Sequence, residues 1–304
     1  MRKLDVHIHT NKSCNLRCIH CYNNSGEASD IPQTEALLDL IEYLCNTYDA
    51  DIHLEGGEIF LRPDLIEKMN VFSDKILNSV TVTTNGTIFF DGPDQVNTLR
   101  RIRTLRISVE GGSAQTHETI RGGNFETVLG NAMKFQGLDI PVCIRITLNR
   151  LNFRGFINDT IVKLANRGFK CFQVYEFQSV GRGKDSADIL SLKCTLDELF
   201  EEMYSAHPKG VTLKMMFSAV REKEILKWKS ALESKGYTIS RVQEESSVSI
   251  RENGDVYKCA WDNDPSNAIC NWYNDKEARQ IIDRSDLRHS CVHCSMFCIA
   301  LDTR

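Results

Sequence analysis

Hydrophobic positions along this chain switch between two periods. KLDVHIH at residues 3–9 reads as a strand, whereas residues 34–48 put Leu37, Leu40, Ile41 and Leu44 on one helical face, with Pro32 just before the first turn. A strand at 51–55 (DIHLE) and a helix around 64–76 follow. Strands come next at 79–84 (SVTVTT) and 105–110 (LRISVE), then a helix over 125–135. A strand at 142–148 (VCIRITL), a helix at 156–166 and a sixth strand at 169–177 (FKCFQVYEF) complete the run. Strand–helix alternation repeated in this way argues for a parallel sheet with crossover helices. Six units are too few for a closed eight-unit barrel and enough for a partial one. The expected fold class is therefore α/β, a partial (β/α)6 TIM-like barrel.

The pattern changes after Lys184. Residues 195–206 and 219–235 read as helices, the second with a solvated charged face, and VTLKMMF (211–217) as a strand between them. SVSI, ENGD and VYKC at 247–259 read as a β-hairpin, because Asn-Gly is a strong tight-turn signal. A Cys-rich tail follows. The expected domains are a barrel over 1–190, a helical linker over 191–245 and a small Cys-rich unit over 246–304.

Composition narrows the function. With 304 residues, 41% of them hydrophobic, the chain can bury a large core, and its net charge of −4 argues against bulk attraction to nucleic acid or an anionic membrane. No window approaches the ~18 apolar residues of a membrane span, and the first residues lack a signal-peptide pattern. A soluble, cytoplasmic protein is expected. Twelve cysteines in such a protein favour metal or redox chemistry over disulfides. Cys14, Cys18 and Cys21 cluster at the front; Cys259, Cys270, Cys291, Cys294 and Cys298 cluster at the back. Cys45, Cys143, Cys171 and Cys194 are scattered in the manner of small buried hydrophobes. Cys143 and Cys171 lie on expected barrel strands; if either points into the barrel mouth, its thiol, like that of Cys270, is a candidate hydrogen donor to a carbon radical. His7 and His9 form the H-x-H of some metal-dependent hydrolases, but the further ligands such enzymes need after later strands are missing; the pair is expected to line the sheet.

CNLRCIHC (14–21) carries the sharpest chemistry. Its loop follows the first strand and so lies at the mouth where parallel barrels keep their active sites. A closed zinc site needs a fourth ligand, and His20 is adjacent to Cys21, a poor geometry for converging on one small ion. An iron–sulfur cube held by three thiolates leaves one iron open, able to chelate an amine and a carboxylate.

The whole constellation resembles the radical S-adenosylmethionine (SAM) superfamily, whose C-x3-C-x2-C loop CNLRCIHC matches. The resemblance implies that SAM takes the open iron and is cleaved reductively to a 5′-deoxyadenosyl radical, with His20 beside the cluster. Further matches occur in family order over residues 5–183. LEGGEIFLRPD supplies Gly56, Gly57 and Glu58 for the SAM amine, and TTNGT supplies Asn85. RISVEGG supplies Ser108 and Glu110 for the ribose, and HETIRGGNFETV supplies Arg121 for the SAM carboxylate. RITLNR supplies Arg145, Thr147 and Asn149, and SVGRGKD matches the Gly-Arg turn after strand six.

The tail resembles the SPASM/twitch auxiliary-cluster extension: NGDVYKC gives a G-x4-C unit ending at Cys259, and CVHCSMFC gives Cys291, Cys294 and Cys298. Too few cysteines remain for two further clusters, so the expectation is two [4Fe–4S] clusters in all, one binding SAM and one auxiliary. Cys270 competes with Cys298 as the last ligand, and a zinc knuckle could use the same residues. The resemblance implies a peptide substrate modified by crosslinking, epimerisation or oxidation. The alternatives are a dehydrogenase of a small molecule, such as an amino-sugar or cofactor precursor, and a non-enzymatic zinc-stapled binding protein. A flavodoxin- or ferredoxin-type reductant is implied as partner. Ahead of residue 14 there is no room for a leader-binding domain, so a separate protein or the barrel itself is expected to recognise any leader.

Overall fold

The computed structural model describes residues 1–28, 31–206, 208–242, 246–262, 264–287 and 296–303. Its frame is a single sheet whose first six strands run in chain order: β1 (Lys3–His9), β2 (Asp49–Glu55), β3 (Val80–Thr84), β4 (Thr104–Ser108), β5 (Val142–Leu148) and β6 (Cys171–Glu176). Each pairs in parallel with the next. This is the expected partial barrel, and the sheet does not close.

Side-chain alternation divides the sheet into two faces. Leu4, Val6 and Ile8 of β1 and Ile144, Ile146 and Leu148 of β5 join the core beneath the helices. The residues between them, Asp5, His7 and His9 on β1 and Cys143, Arg145 and Thr147 on β5, turn to the opposite, inner face. The helix Thr34–Thr47 buries Leu37, Leu40, Ile41 and Leu44 against the outer face, as its periodicity requires.

The expected helix over 64–76 is broken. Pro63–Lys68 is helical, Met69–Val71 is a 3-10 turn, and Phe72 and Ser73 are extended before a short helix Asp74–Leu77. Among the helices that the sequence pattern does not reveal are two in the barrel. Pro93–Arg101 opens with Pro in its first turn, and Ala114–Arg121 is capped by Ser113, whose hydroxyl accepts from the Thr116 amide. Both are under ten residues long, too short for their periodicity to stand out. Residues 156–166 are helical, but Phe156–Val162 winds as a wider π-helix before the α-helix Lys163–Asn166.

The sheet crosses both expected domain boundaries. β7 (Thr212–Ser218) pairs in parallel with β6. After β8 (Thr238–Arg241), β9 (Ser247–Ile250) pairs in parallel with β1. β10 (Asp255–Tyr257) pairs antiparallel with β9 and with β11 (Cys270–Asn271). β12 (Met296–Asp302) runs antiparallel between β7 and β8. The expected linker and tail thus supply edges of the same twelve-stranded sheet. In the β9–β10 hairpin the Gly254 amide donates to the Arg251 carbonyl at 2.9 Å, and Gly254 itself takes φ +90°.

One close approach sets the position of the cysteine loop. The Gly57 amide donates to the Asn11 carbonyl and the Glu58 amide to the Ser13 carbonyl, both at 2.8 Å. A Cβ on Gly57 would lie 1.9 Å from the Ser13 carbonyl oxygen, and Gly56 at φ +138° holds a backbone that L side chains rarely adopt. Gly57→Ala is expected to cost about 3 kcal/mol or more, because the clash is with backbone rather than a flexible side chain. A thermal melt indistinguishable from wild type would show that the two segments do not pack this way.

Candidate active site

The C-terminal ends of β2 to β6 surround a cavity of ≈ 940 Å³, measured out to its open mouth. Cys14, Cys18 and Cys21 line it, together with Gly56, Gly57, Asn85, Ser108, Glu110, Arg121 and Arg145. These residues, with the expected Thr147 and His20, are therefore brought to one space. Two expected residues do not reach it. The carboxylate of Glu58, 1% exposed, accepts from the Thr84 hydroxyl and the Asn85 and Phe60 amides at 2.5–2.9 Å, so it braces the wall behind Asn85 rather than offering itself to a ligand. Burial raises its pKa, against the pull of those three donors. Asn149 is fully buried and closes the turn after β5, donating to the Thr147 carbonyl at 2.8 Å and accepting from the Leu151 amide at 2.9 Å.

The cysteine loop has no regular structure and is held by its neighbours. Arg182, in the Gly-Arg turn after β6, donates to the Cys18 carbonyl at 2.9 Å and to the Ser25 carbonyl, and its own amide donates to the Cys21 carbonyl at 2.9 Å. The Ile19 amide donates to the Ile120 carbonyl at 2.9 Å. The Leu16 and Ser25 amides point at Cys14 and Cys21 Sγ, both at 3.4 Å.

The electrostatics around the loop are unfinished in a specific way. His20 Nε2 pairs with Glu110 at 3.2 Å, and Arg121 Nη1 lies 3.7 Å from the same oxygen. The other Glu110 oxygen accepts from the Thr147 amide at 2.9 Å. Burial works against ionised Glu110, but His20 and Arg121 outweigh it and hold the carboxyl below its usual range. Arg121 Nε and Nη1 and His20 Nδ1 are buried without a hydrogen-bond partner. A buried guanidinium with two unspent donors fits an anionic ligand.

The donor spacing discriminates among metals. Tetrahedral zinc with Zn–S near 2.3 Å needs its sulfurs about 3.8 Å apart. Among the described residues one group of three His, Cys, Asp or Glu has ligand atoms within 4.8 Å of one another, and it is Asp5, His7 and His53, not the three thiols. At least one pair of the three thiols lies farther apart than that, a spacing a cluster accommodates better than a single zinc. The Asp5 group is itself closed. His7 Nδ1 pairs with Glu55 at 2.5 Å and Nε2 with Asp5 at 3.3 Å; His53 Nε2 pairs with Asp5 at 2.9 Å and Nδ1 with Arg106 at 3.0 Å. Both ring nitrogens of His7 are spent, and His9 Nε2 is taken by Arg251 at 2.9 Å, which removes the hydrolase reading of the H-x-H.

Sequence reasoning missed several cavity residues. Glu55, Tyr22, Thr83, Tyr175, Glu176, Gln178 and Trp261 all line it. Glu55 ends β2 directly before the expected Gly pair, a signal that was available. It also bonds Arg145 at 3.3 Å, and Arg145 lies over the Tyr175 ring at 5.0 Å. Trp261, two residues past Cys259, carried no sequence signal; it meets the Tyr22 ring edge-on at 5.3 Å.

Of the candidate hydrogen donors, none lines the cavity. Cys143 and Cys171 sit deeper on the inner face, and Cys270 packs into the hydrophobic core from β11. Cys259 follows β10 half-buried, and Cys298 sits half-buried on β12 opposite Met216. Cys291 and Cys294 lie outside the described residues. No helix among the described residues is long and apolar enough to cross a membrane.

Comparison with known proteins agrees with this geometry. The sequence profile of the radical SAM superfamily matches residues 8–167, and the chain belongs to that superfamily. Its members use a [4Fe–4S] cluster and SAM. Among curated relatives, an AdoMet-dependent heme synthase of Methanosarcina barkeri is 30% identical over 184 residues, covering 58% of this chain and 51% of the relative. The sporulation killing factor maturation protein SkfB of Bacillus subtilis is 28% identical over 195 residues, covering 63% and 45%. The chain thus spans about half the length of the curated relatives it matches. Streptococcus suis SuiB bound to precursor peptide SuiA has the same fold, with a TM-score of 0.68 at 12% identity over 94% of this chain and 66% of that one. So does anSMEcpe with bound AdoMet and Kp18Cys peptide, at TM-score 0.68 and 18% identity over 94% and 81%.

Two expectations follow from the site. Arg182→Ala is expected to raise amide exchange of residues 14–25 about tenfold or more while β1–β6 stay protected, a difference that hydrogen-exchange mass spectrometry resolves. The second concerns His7. Burial disfavours its imidazolium, but Glu55 and Asp5 outweigh that and raise the pKa from 6.5 to about 10. The stability it contributes is full below pH 6.5 and is lost as pH rises through about 10. Its ¹⁵N imidazole shifts are expected to report a charged ring at pH 8; a neutral ring there would refute the Asp5–His7–Glu55 arrangement.

Proposed function

We propose that this chain is a radical SAM enzyme that abstracts hydrogen from a peptide substrate and so modifies it after translation, by crosslinking, epimerisation or oxidation. The observation that carries this is the shared cavity: three thiols face a buried Arg121 with unspent donors at the C-terminal ends of parallel strands. In this reading Cys14, Cys18 and Cys21 hold a [4Fe–4S] cluster. Arg121 takes the SAM carboxylate, the Gly56–Gly57 backbone faces its amine, and Asn85, Ser108, Glu110 and Arg145 line the rest of its site. Glu58 and Asn149 act one step back, holding the walls. When bound, cluster and SAM together supply a 5′-deoxyadenosyl radical that removes a substrate hydrogen. The protein orients both and keeps His20 paired with Glu110 beside the cluster loop. Reducing electrons come from a flavodoxin- or ferredoxin-type partner.

Cys259, Cys291 and Cys294 are proposed to hold one auxiliary cluster. Cys298, half-exposed, is favoured as their fourth ligand over the core-packed Cys270. A peptide substrate is supported by relatives whose names record peptide maturation, SkfB and the subtilosin biosynthesis protein AlbA, and by the likeness to SuiB with its precursor peptide. A small-molecule substrate is the second reading. It is favoured by the heme synthase and the probable GTP 3′,8-cyclases among the relatives.

Iron and acid-labile sulfide after anaerobic reconstitution test the cluster assignments. About eight irons per chain are expected, falling to about four when Cys14, Cys18 and Cys21 become Ala. Zinc without sulfide would sink the reading. On the reduced holoenzyme, Arg121→Ala is expected to weaken SAM binding tenfold or more. Stimulation of 5′-deoxyadenosine formation by peptides from a synthetic library would support the peptide reading; stimulation only by tetrapyrroles or nucleotides would support the second.

A further inference from the structure

The inner face of β5 and β6 carries a second pair of thiols away from the cysteine loop. The β5–β6 register sets Ile144 beside Phe172, so Cys143 and Cys171 lie directly opposite each other one position earlier. Both point to the same side as Arg145 and Tyr175, away from the core that takes Ile144 and Phe172. Their sulfurs are 2.7 Å apart. That is well inside the distance two unbonded sulfurs prefer, and neighbouring strands at about 4.8 Å allow the Cα separation a disulfide needs.

Cationic side chains stand near the pair, but Cys143 is held in its thiol form. Arg106 of β4 is the register neighbour of Cys143, and Thr212 of β7 is that of Cys171. Arg106 and Lys214 both act to lower the Cys143 pKa, although the Cys171 partner and burial hold it well above the usual value. Cys143 is 4% exposed whereas Cys171 is half-exposed, so Cys171 is the sulfur an incoming reagent meets first. The nearest cavity-lining residues on the two strands are Arg145, two positions along β5, and Tyr175, four along β6.

We propose that Cys143 and Cys171 form a redox-active dithiol site on the barrel floor that takes a disulfide oxidant of the glutathione disulfide class. The Cys171 thiolate attacks one sulfur of the oxidant, the oxidant's S–S bond breaks, and one thiolate leaves. The Cys143 thiol gives up its proton and attacks Cys171 Sγ, expelling the second thiolate, which is protonated. Two thiols lose two electrons and two protons, and one disulfide is reduced to two thiols. The product ties β5 to β6 beneath Arg145 and Tyr175. The site is independent of the cysteine loop and of any substrate reading.

The two cysteines fall in separate tryptic peptides, residues 135–145 and 171–182. Reconstituted holoenzyme is incubated anaerobically with glutathione disulfide, quenched with N-ethylmaleimide under denaturing conditions and digested. Wild type is expected to yield the two peptides joined, as the main form of both. Cys143→Ser is expected to trap glutathione on peptide 171–182 instead. Full alkylation of both wild-type peptides, or joining of either one to another cysteine, overturns the proposal. A measurement on wild type alone guards against a misfolded variant. Phenylarsine oxide, which bridges two close thiols, is expected to protect Cys143 and Cys171 together from alkylation, at least tenfold in rate. Protection of neither, or of only one, overturns it as well.

Discussion

The structure depends on satisfying the backbone of a loop that has no regular structure of its own. Residues 10–26 leave the end of β1 and must place their polar groups somewhere, since buried amides and carbonyls without partners are costly. They do so on the ends of neighbouring strands. The Thr10 amide donates to the Glu55 carbonyl, Asn11 and Ser13 carbonyls accept from the Gly57 and Glu58 amides, and Arg182 collects the Cys18 and Ser25 carbonyls. These contacts come from two turns of the barrel, after β2 and after β6, so the three cysteines are positioned by the sheet rather than by one another. Glycine at 57 is required because the two backbones touch there.

Beneath the loop, the inner face of the sheet is paved with ionisable groups, which would be ruinous if they were unpaired. They are paired across strands. Asp5 serves His7 and His53, Glu55 serves His7 and Arg145, and His53 meets Arg106. The network holds Glu55 ionised: burial opposes that, but His7 and Arg145 outweigh it and keep its carboxyl well below the usual range. Glu55 in turn anchors Arg145 over Tyr175 at the cavity wall. A polar floor of this kind faces the cavity while the opposite face of the same strands builds the core.

The later part of the chain extends both edges of the barrel's open sheet instead of standing apart from it. β9 takes the free edge of β1, and β7 extends β6 and receives β12. This is why Trp261, far along the chain, faces the cysteine loop through Tyr22. A Cys259-based site would stand two residues from the cavity wall.

Six parallel strands, their order and the cysteine loop were legible in the sequence, because strand period, loop spacing and the Gly pair are local properties of consecutive residues. So were Gly56, Gly57, Asn85 and Glu110 at the cavity, since each closely follows a strand whose end could be located; Ser108 and Arg145 lie in β4 and β5 and Arg121 ends a helix, so these were legible only through their motifs. Glu58 and Asn149 were legible as members of the right turns, but not in their direction. Which way a side chain points off an irregular turn depends on what already fills the space. The short helices Pro93–Arg101 and Ala114–Arg121 were too brief for a period to register. Only the tertiary structure decided that the tail shares the barrel's sheet, that Trp261 reaches the cavity and that Cys143 faces Cys171. Those are pairings between distant segments, and strand register and sheet edges are chosen by the packing of the whole rather than by any stretch of it.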